Sequence, residues 1–282
     1  MTLNDFWIIL TASLVALCCA IPGCFLVLRK MAMLGDAISH AVLPGLVVAY
    51  LISGSRASSV LLFGAALTGL LVTFIIEFIQ KKMRVQNDAA IGITYTFLFA
   101  VGVILISLFA GQTDLDQECV LYGEIAFVPF DTITLDSGLV LGPRQVWIAG
   151  GMLVTLLVIL RIGYRGLYLT TFDAGYASTL GVSVALWHYV LMGMVSLATV
   201  VSFESVGAIM VIAFLVGPAA TAALFAKRLP VMIGIAAFIG VLSSITGYFL
   251  AIVLNASVSG SIAVMIGVIF AFALLLKRFI PS

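Results

Sequence analysis

Long, almost uncharged apolar stretches recur from one end of this chain to the other, and they constrain its fold more than any motif does. Of the 282 residues, 63% are hydrophobic and only 9% are charged. Soluble domains carry about 25% charged residues, so a water-exposed surface of ordinary composition is excluded. Because the stretches are continuous and do not alternate as barrel strands do, they predict an all-α polytopic membrane protein.

Windows of about 17–25 apolar residues, long enough to cross the hydrocarbon core, predict about nine transmembrane helices, with eight as the alternative. The fifth predicted span is short, and the sixth and seventh meet at a tight polar corner. No linker separates a second domain, so we interpret residues 1–282 as one transmembrane domain. The predicted spans are 6–28, 31–53, 57–80, 88–110, 146–160, 187–203, 205–224, 231–254 and 261–277.

The placement of lysine and arginine predicts the orientation, because cytoplasmic loops of membrane proteins accumulate these residues. With the N-terminus outside and the C-terminus in the cytoplasm, only Arg56 and Arg144 fall on the outer side. The remaining basic residues then lie in cytoplasmic loops: Arg29, Lys30, Lys81, Lys82, Arg84, Arg161, Arg165, Lys227, Arg228, Lys277 and Arg278.

Two predicted connections are too long to be simple turns. Residues 111–145 form an external loop that is either a solvated connector or, given the apolar stretch at 120–130, a docking surface or partly re-entrant segment. Residues 161–186 form an inner connector that looks amphipathic or briefly helical. The external loop carries these acids: Asp114, Asp116, Glu118, Glu124, Asp131 and Asp136.

Four ionisable residues remain as functional candidates once those in loops and at span boundaries are set aside: Asp36, His40, His188 and Glu204. Ionisable side chains in membrane spans cost about 2.5–3.5 kcal/mol each on insertion scales, so a chain retains them chiefly for function.

Asp36 and His40 are four residues apart, so a helix places both on one face. Gly35 and Pro44–Gly45 flank the pair and are expected to bend or loosen the helix beside it. A carboxylate with an imidazole suits Mn²⁺, Fe²⁺ or Zn²⁺ better than Ca²⁺ or Mg²⁺. Two alternatives stay open at this point: a hydrogen bond that only joins two helices, and a proton relay.

The other two candidates are more ambiguous. His188 lies beside Trp187 and Tyr189, so it is either part of a transport path or an interfacial residue in an aromatic belt. Glu204 lies at the corner between the sixth and seventh spans. It is solvated if that corner reaches water, and a further ligand or gate if the corner folds inward.

Several function classes have no support in the sequence. The net charge of +1 does not indicate a nucleic-acid partner. No phosphate-binding loop of the GxxxxGK[ST] type is present, and no nucleophile–base arrangement indicates an enzyme. A transporter with this sequence must therefore take energy from an ion gradient or from a separate subunit.

Six segments in order resemble the membrane permeases of bacterial ABC importers for manganese, zinc and iron. The resemblance covers about residues 6–278 and includes Gly35, Asp36, Ser39 and His40 of the GD-x-x-SH stretch. The segments are "LRKMAMLGDAISHAVLPG", "NDAAIGITYTFLFAVGVILIS", "LYGEI", "TTFDAGYASTLGV", "LWHYVLM" and "SVGAIMVIAFLVGPAATAALFAKRL".

This resemblance implies a permease subunit in the bacterial inner membrane that pairs with a second permease chain, identical or similar. Separate ATPase subunits dock on the cytoplasmic side, and an extracellular metal-binding protein delivers the ion. Asp36 and His40 line the path near the dimer axis, and no tightly bound cofactor is expected beyond the transported Mn²⁺, Zn²⁺ or Fe²⁺.

The resemblance also places the ATPase-coupling region at 217–229, where Gly217–Pro218 is expected to break the seventh span. Ordinary helix packing is the alternative explanation of the alanine-rich run there. Two alternative functions also remain: a proton-coupled secondary carrier of metal ions, and an ABC permease for a metal–chelate complex. The coupling residues implied are Gly217, Pro218, Ala219, Ala220, Lys227 and Arg228.

Overall fold

The computed structural model describes residues 3–53, 58–83, 85–109, 125–134 and 140–279, and most of them are helical. This confirms the predicted all-α polytopic class. The helices are α1 (Leu3–Leu28), α2 (Met33–Ser53), α3 (Ser58–Met83), α4 (Asn87–Phe109), α5 (Arg144–Phe172), α6 (Ala174–Thr179), α7 (Val184–Phe225), α8 (Leu229–Leu254) and α9 (Val258–Phe279).

Seven helical segments within the described residues are long and apolar enough to cross a membrane. The predicted second and third spans coincide with α2 and α3, helices of 21 and 26 residues. The span count and the outward N-terminus stay predictions. The seven segments are Leu3–Leu28, Asp88–Phe109, Arg144–Phe172, Val184–Phe203, Ser205–Phe225, Leu229–Leu254 and Val258–Phe279.

The fifth predicted span was wrong in its length. Helix α5 runs for 29 residues from Arg144 to Phe172, so it absorbs the first part of the inner connector predicted at 161–186. Arg161 and Arg165 end the apolar run in the sequence, but both are exposed on a helix that continues past them. Only the short α6 and its flanking turns remain of that connector.

The external segment is described in part. Residues 125–130 form a 3₁₀ helix that packs against α1; its Ile125 is fully buried, while Phe127 and Phe130 are exposed. Strands β1 (Thr132–Thr134) and β2 (Val140–Pro143) then pair antiparallel and lead into α5. Of the predicted loop acids, Asp131 is exposed; the others lie outside the described residues: Asp114, Asp116, Glu118, Glu124 and Asp136.

Helix α7 reverses direction at Gly207, which has φ 75° and ψ 166° inside an otherwise helical segment. A straight helix of its 42 residues would be about 63 Å long, twice the hydrocarbon thickness. Cys19 of α1 contacts Ser202 before the break, and Gly23, one turn further along α1, contacts Leu215 after it. Ser202 and Leu215 would be about 20 Å apart on a straight helix, so the chain turns back between them.

This reversal lies close to the corner predicted between the sixth and seventh spans. The separate break predicted at Gly217–Pro218 is wrong. Helix α7 continues through the buried Pro218 as far as Phe225. Proline is tolerated in membrane helices where neighbouring groups satisfy the carbonyl that its missing N–H leaves free. Gly207 makes the break because its backbone conformation is essentially restricted to glycine.

The helices form two groups. The two halves of α7 pack closely with α1, α8 and α9, and α5 joins this group. Helices α2, α3 and α4 pack mainly on one another, and they meet the rest of the chain chiefly along α7. Gly45 of α2 and Gly64 of α3 lie close together, which lets these two backbones approach. We call α2–α4 the three-helix unit.

We predict that Gly207→Ala lowers the thermal stability of the protein, because a β-carbon at this φ and ψ costs about 1–3 kcal/mol. Gly150→Ala is the matched control, since Gly150 is helical and a β-carbon there meets nothing within 4 Å. The control is expected to be neutral or more stable by about 0.5–1 kcal/mol. Thermal unfolding in detergent measures both, and equal melting temperatures would contradict a glycine-dependent reversal.

Candidate metal-binding site

The first turns of α2 hold the predicted pair, and the turn before α2 sets their direction. Lys30 adopts a left-handed conformation with φ 58°, which ends α1 and lets α2 begin at Met33. Asp36 lies in the first turn of α2, where the helix dipole favours a carboxylate. Gly35 packs against the Leu215 side chain of α7, so Asp36 is held beside the core of the protein.

Asp36 and His40 are brought together as the spacing predicts. Nε2 of His40 lies 3.3 Å from Oδ1 of Asp36, and the two side chains are 30% and 31% exposed. Ser39 instead points inward, is 1% exposed, and donates from its hydroxyl to the Gly35 carbonyl at 2.9 Å. The pair therefore faces open space from one side of α2, and its oxygen and nitrogen donors suit a first-row divalent cation.

Two aromatic rings of helix α4 lie beside His40, and the sequence did not predict this contact. The ring of Tyr95 lies 5.9 Å from the His40 ring, and the Phe99 ring meets it edge-on at 5.8 Å. Such contacts restrict the orientation of the imidazole. Their spacing of four residues in α4 places them on one face, but no feature of the sequence pairs that face with His40.

An apolar cavity of about 470 Å³ lies beyond the pair, toward the C-terminal end of α2. It begins at Pro44, one turn past His40, and α2 continues as a helix through this proline. Gly45 packs against Thr68 and Gly64 of α3. Pro44 and Gly45, which flank the pair, therefore contribute both to the lining of the cavity and to the packing of α2 on α3. Its lining includes Pro44, Val48, Ile52, Leu67, Leu71 and Leu98.

His188 does not join the Asp36–His40 pair. Its Nε2 lies 3.7 Å from Oε1 of Glu77 on α3, and its Nδ1 lies 3.5 Å from Nη1 of Arg29. The hydroxyl of Tyr189 donates to Oε2 of Glu77 at 2.6 Å. Glu77 was missed because it lies near the basic end of its span, although an acid within "FIIEFIQKK" was a usable signal.

Arg29 anchors this second cluster to α5. Its Nη2 donates to the Thr170 hydroxyl at 2.9 Å, and its Nε donates to the Thr171 hydroxyl at 3.1 Å. Burial lowers the pKa of Arg29, but arginine starts so high that the guanidinium remains charged at neutral pH. We call Arg29, Glu77, His188 and Tyr189 the Glu77 cluster.

The corner that contains Glu204 is enclosed by protein. The side chains of Ser202, Phe203, Ser205 and Val206 are all buried, which argues against a corner open to water. The side chain of Glu204 lies outside the described ones, so its assignment as a ligand or gate stays a prediction.

The predicted coupling residues divide into a packed set and an exposed set. Gly217 packs against Ile266 of α9, Pro218 and Ala219 are buried, and Ala220 is half-buried. Lys227 and Arg228 are exposed in the turn between α7 and α8, where Arg228 precedes the first turn of α8.

Across the described ranges, from residue 3 to 279 with their gaps, no three His, Cys, Asp or Glu side chains lie close enough to hold a metal ion together. A cation at the Asp36–His40 pair would therefore complete its coordination with water or with groups from another chain. Such a site suits transient contact better than tight storage.

Comparisons with known proteins identify the family of this chain. The sequence model of the ABC 3 transport family matches residues 5–277 of this chain. The chain is 48% identical over 271 residues to the manganese transport system membrane protein MntD of Bacillus subtilis, covering 96% of this chain and 91% of that protein. It is 39% identical over 268 residues to the zinc transport system membrane protein TroD of Treponema pallidum, covering 95% and 72%.

A solved structure has the same fold. In the PsaBC complex of Streptococcus pneumoniae with an antibody fragment, one chain superimposes with a TM-score of 0.78 at 33% identity. The match covers 97% of this chain and 91% of that one.

We predict that cysteines at the pair react with a charged, membrane-impermeant thiol reagent. Asp36→Cys and His40→Cys are expected to react at least about tenfold faster than Ser39→Cys, because thiol reactivity requires access to water. Labelling rates of the purified protein in detergent measure this. Equal protection of all three positions would contradict an open polar face.

The native thiols permit this test. Cys18, Cys19 and Cys24 are buried in α1 and serve as an internal blank. Cys119 lies outside the described residues and is replaced by serine beforehand.

Proposed function

Because this chain belongs to the ABC 3 transport family, we propose that two such permease chains enclose a path for a divalent transition metal and that Asp36 and His40 line it. The chain is the permease subunit of a metal-ion ABC importer and a multi-pass protein of the bacterial inner membrane. The path, its residues and its partners are the proposal.

The observation that carries the proposal is the Asp36–His40 pair, 3.3 Å apart and partly exposed on a membrane helix. A carboxylate that faced lipid there would be costly, whereas one that faces a path gains from each passing cation. A second identical or similar chain would add its own donors. Two carboxylates and two imidazoles across the dimer axis would replace part of the hydration shell of the ion without holding it tightly.

The donor types favour Mn²⁺, Fe²⁺ or Zn²⁺ as cargo. An imidazole nitrogen adds little for Ca²⁺ or Mg²⁺, which prefer oxygen ligands. The relatives named above are described as manganese and zinc transport proteins. The Tyr95 and Phe99 rings restrict the orientation of the His40 imidazole, and a ligand that is held in place binds a metal ion at a lower entropic cost.

The proposal extends to the whole machine. Residues 1–282 form one permease domain, in which 111–145 faces an extracellular metal-binding protein and 217–229 faces an ATPase subunit on a separate chain. Of the predicted coupling residues, Lys227 and Arg228 are exposed and available for contact, whereas Gly217, Pro218 and Ala219 pack inside this chain. We therefore assign coupling to the turn between α7 and α8.

We predict that Asp36→Ala or His40→Ala lowers metal uptake more than about tenfold, because each removes a ligand from the path. Uptake of radioactive Mn²⁺ or Zn²⁺ into cells or proteoliposomes with the complete complex measures this. ATP hydrolysis and complex assembly are expected to persist.

Asp88→Ala is the matched control, since Asp88 is also an acid in the first turn of its helix and is exposed. Normal uptake in both path variants would refute the site. Uptake by the permease without its ATPase, abolished by a protonophore, would instead indicate a proton-coupled carrier. Uptake of a chelate in preference to the free ion would indicate a chelate permease.

We predict that charge reversal at Lys227 and Arg228 to glutamate weakens association of the ATPase subunit and lowers metal-stimulated ATP hydrolysis. The same reversal at Lys277 and Arg278 is the control, since this pair is exposed at the end of α9 on the same predicted side. Both variants reverse two positive charges on the predicted cytoplasmic side, so any effect of charge on membrane orientation is the same in both. Co-purification measures association, and equal loss in both variants would contradict a specific coupling turn.

A further inference from the structure

The Glu77 cluster joins the three-helix unit to the rest of the chain. Glu77 belongs to α3, whereas His188 and Tyr189 belong to the first turns of α7. Asp36 and His40 are carried by the same unit, on α2. Any motion of the unit relative to α7 would therefore move the proposed path and strain the Glu77 contacts together.

The α7 side of this junction is held in place. Arginine donates hydrogen bonds and accepts none, so the 3.5 Å contact from Arg29 makes Nδ1 of His188 the acceptor. In the neutral ring the proton then lies on Nε2, which faces Glu77. Arg29 is itself hydrogen-bonded to Thr170 and Thr171 of α5. It therefore holds the Nδ1 side of the His188 ring in place.

The same contacts argue against a second metal station here. Glu77 and His188 repeat the donor types of Asp36 and His40, but the Nε2 lone pair is occupied by a proton in this tautomer. The guanidinium beside Nδ1 would also repel a divalent cation. The same carboxylate and imidazole groups therefore have different roles in the Asp36–His40 pair and in the Glu77 cluster.

On the α3 side of the junction, the Glu77 carboxylate makes the contacts to α7. Oε2 of Glu77 accepts a short hydrogen bond, 2.6 Å from the Tyr189 hydroxyl, and its Oε1 lies 3.7 Å from Nε2 of His188. A cavity of about 480 Å³ lies beside the carboxylate, lined by Phe74, Glu77, Phe78, Lys82 and Tyr189. A shift of this end of α3 away from α7 would lengthen the contacts of Glu77 with Tyr189 and His188.

We infer that Glu77 is a positioning residue for transport: with Tyr189 and His188 it forms a joint between the three-helix unit and α7 that opens and closes as the path changes its access. The inference rests on the proposed function. The joint lies near the C-terminal end of α3 and the N-terminal end of α7, on the predicted cytoplasmic side. The joint is therefore on the side of the membrane where the ATPase subunit is proposed to dock, so movements of that subunit could be transmitted to it.

The first test removes one hydroxyl. Tyr189→Phe keeps the ring and loses the hydrogen bond to Glu77, and Glu77→Gln keeps the shape and loses the charge. Each is expected to lower the metal transported per ATP hydrolysed at least threefold in proteoliposomes with the complete complex. Mn²⁺ binding at the Asp36–His40 pair is expected to be unchanged. Tyr176→Phe, at an exposed tyrosine of α6, is the control.

The second test measures motion directly. Spin labels at Phe78→Cys and Leu186→Cys, both exposed, report the distance between α3 and α7; labels at Phe78→Cys and Phe97→Cys report a distance within the unit. One labelled chain is paired with an unlabelled one. Between nucleotide-free and vanadate-trapped complex, the first distance is expected to change by more than about 2 Å and the second to stay constant.

The outcomes separate this inference from the proposed function. If Asp36→Ala abolishes uptake while Tyr189→Phe and Glu77→Gln transport normally and the α3–α7 distance stays constant, the joint is refuted and the path stands. If Asp36→Ala transports normally, the path itself is refuted. Reduced transport per ATP with a distance change confined to α3–α7 supports the joint.

Discussion

Leu215 of α7 is pressed between two glycines, and the arrangement of the site depends on this contact. Its backbone carbonyl lies against Gly23 of α1, and its side chain lies against Gly35 of α2. A β-carbon at either glycine would overlap with Leu215. In a membrane, where lipid is as apolar as the side chains, such close backbone packing supplies much of the attraction between helices. Here it holds the residue next to Asp36 against the centre of the protein.

The two carboxylate–imidazole pairs show how surroundings decide what the same groups do. Asp36 and His40 face open space, with aromatic rings on one side and an apolar cavity beyond. Glu77 and His188 are less exposed and are joined to a charged arginine and a tyrosine hydroxyl. Under the proposed function, the first pair offers its donor atoms to a passing cation, whereas the second uses its donors within the protein.

Local sequence patterns predicted most of the helices and the Asp36–His40 pair, but they did not predict several contacts between helices. The apolar runs indicated helices close to those observed, and the spacing of Asp36 and His40 indicated their shared face. A tight corner between the sixth and seventh spans was expected beside Glu204, and α7 reverses close to it at Gly207. The further break expected at Gly217–Pro218 is absent, although proline is the usual helix breaker. Tyr95, Phe99 and Glu77 were missed, since their importance comes from neighbours that are distant in the sequence.

The sequence by itself determined the class of the protein, most of its helices and the Asp36–His40 pair, because hydrocarbon admits few charges and leaves helices as the main way to pair the backbone. The family followed from the same residues. Only the tertiary structure decided that α7 continues through Gly217–Pro218, that Tyr95 and Phe99 of α4 lie beside His40, and that His188 contacts Glu77. Those outcomes depend on which helix faces pack together, and packing between apolar faces is decided by shape, which a one-dimensional pattern does not record.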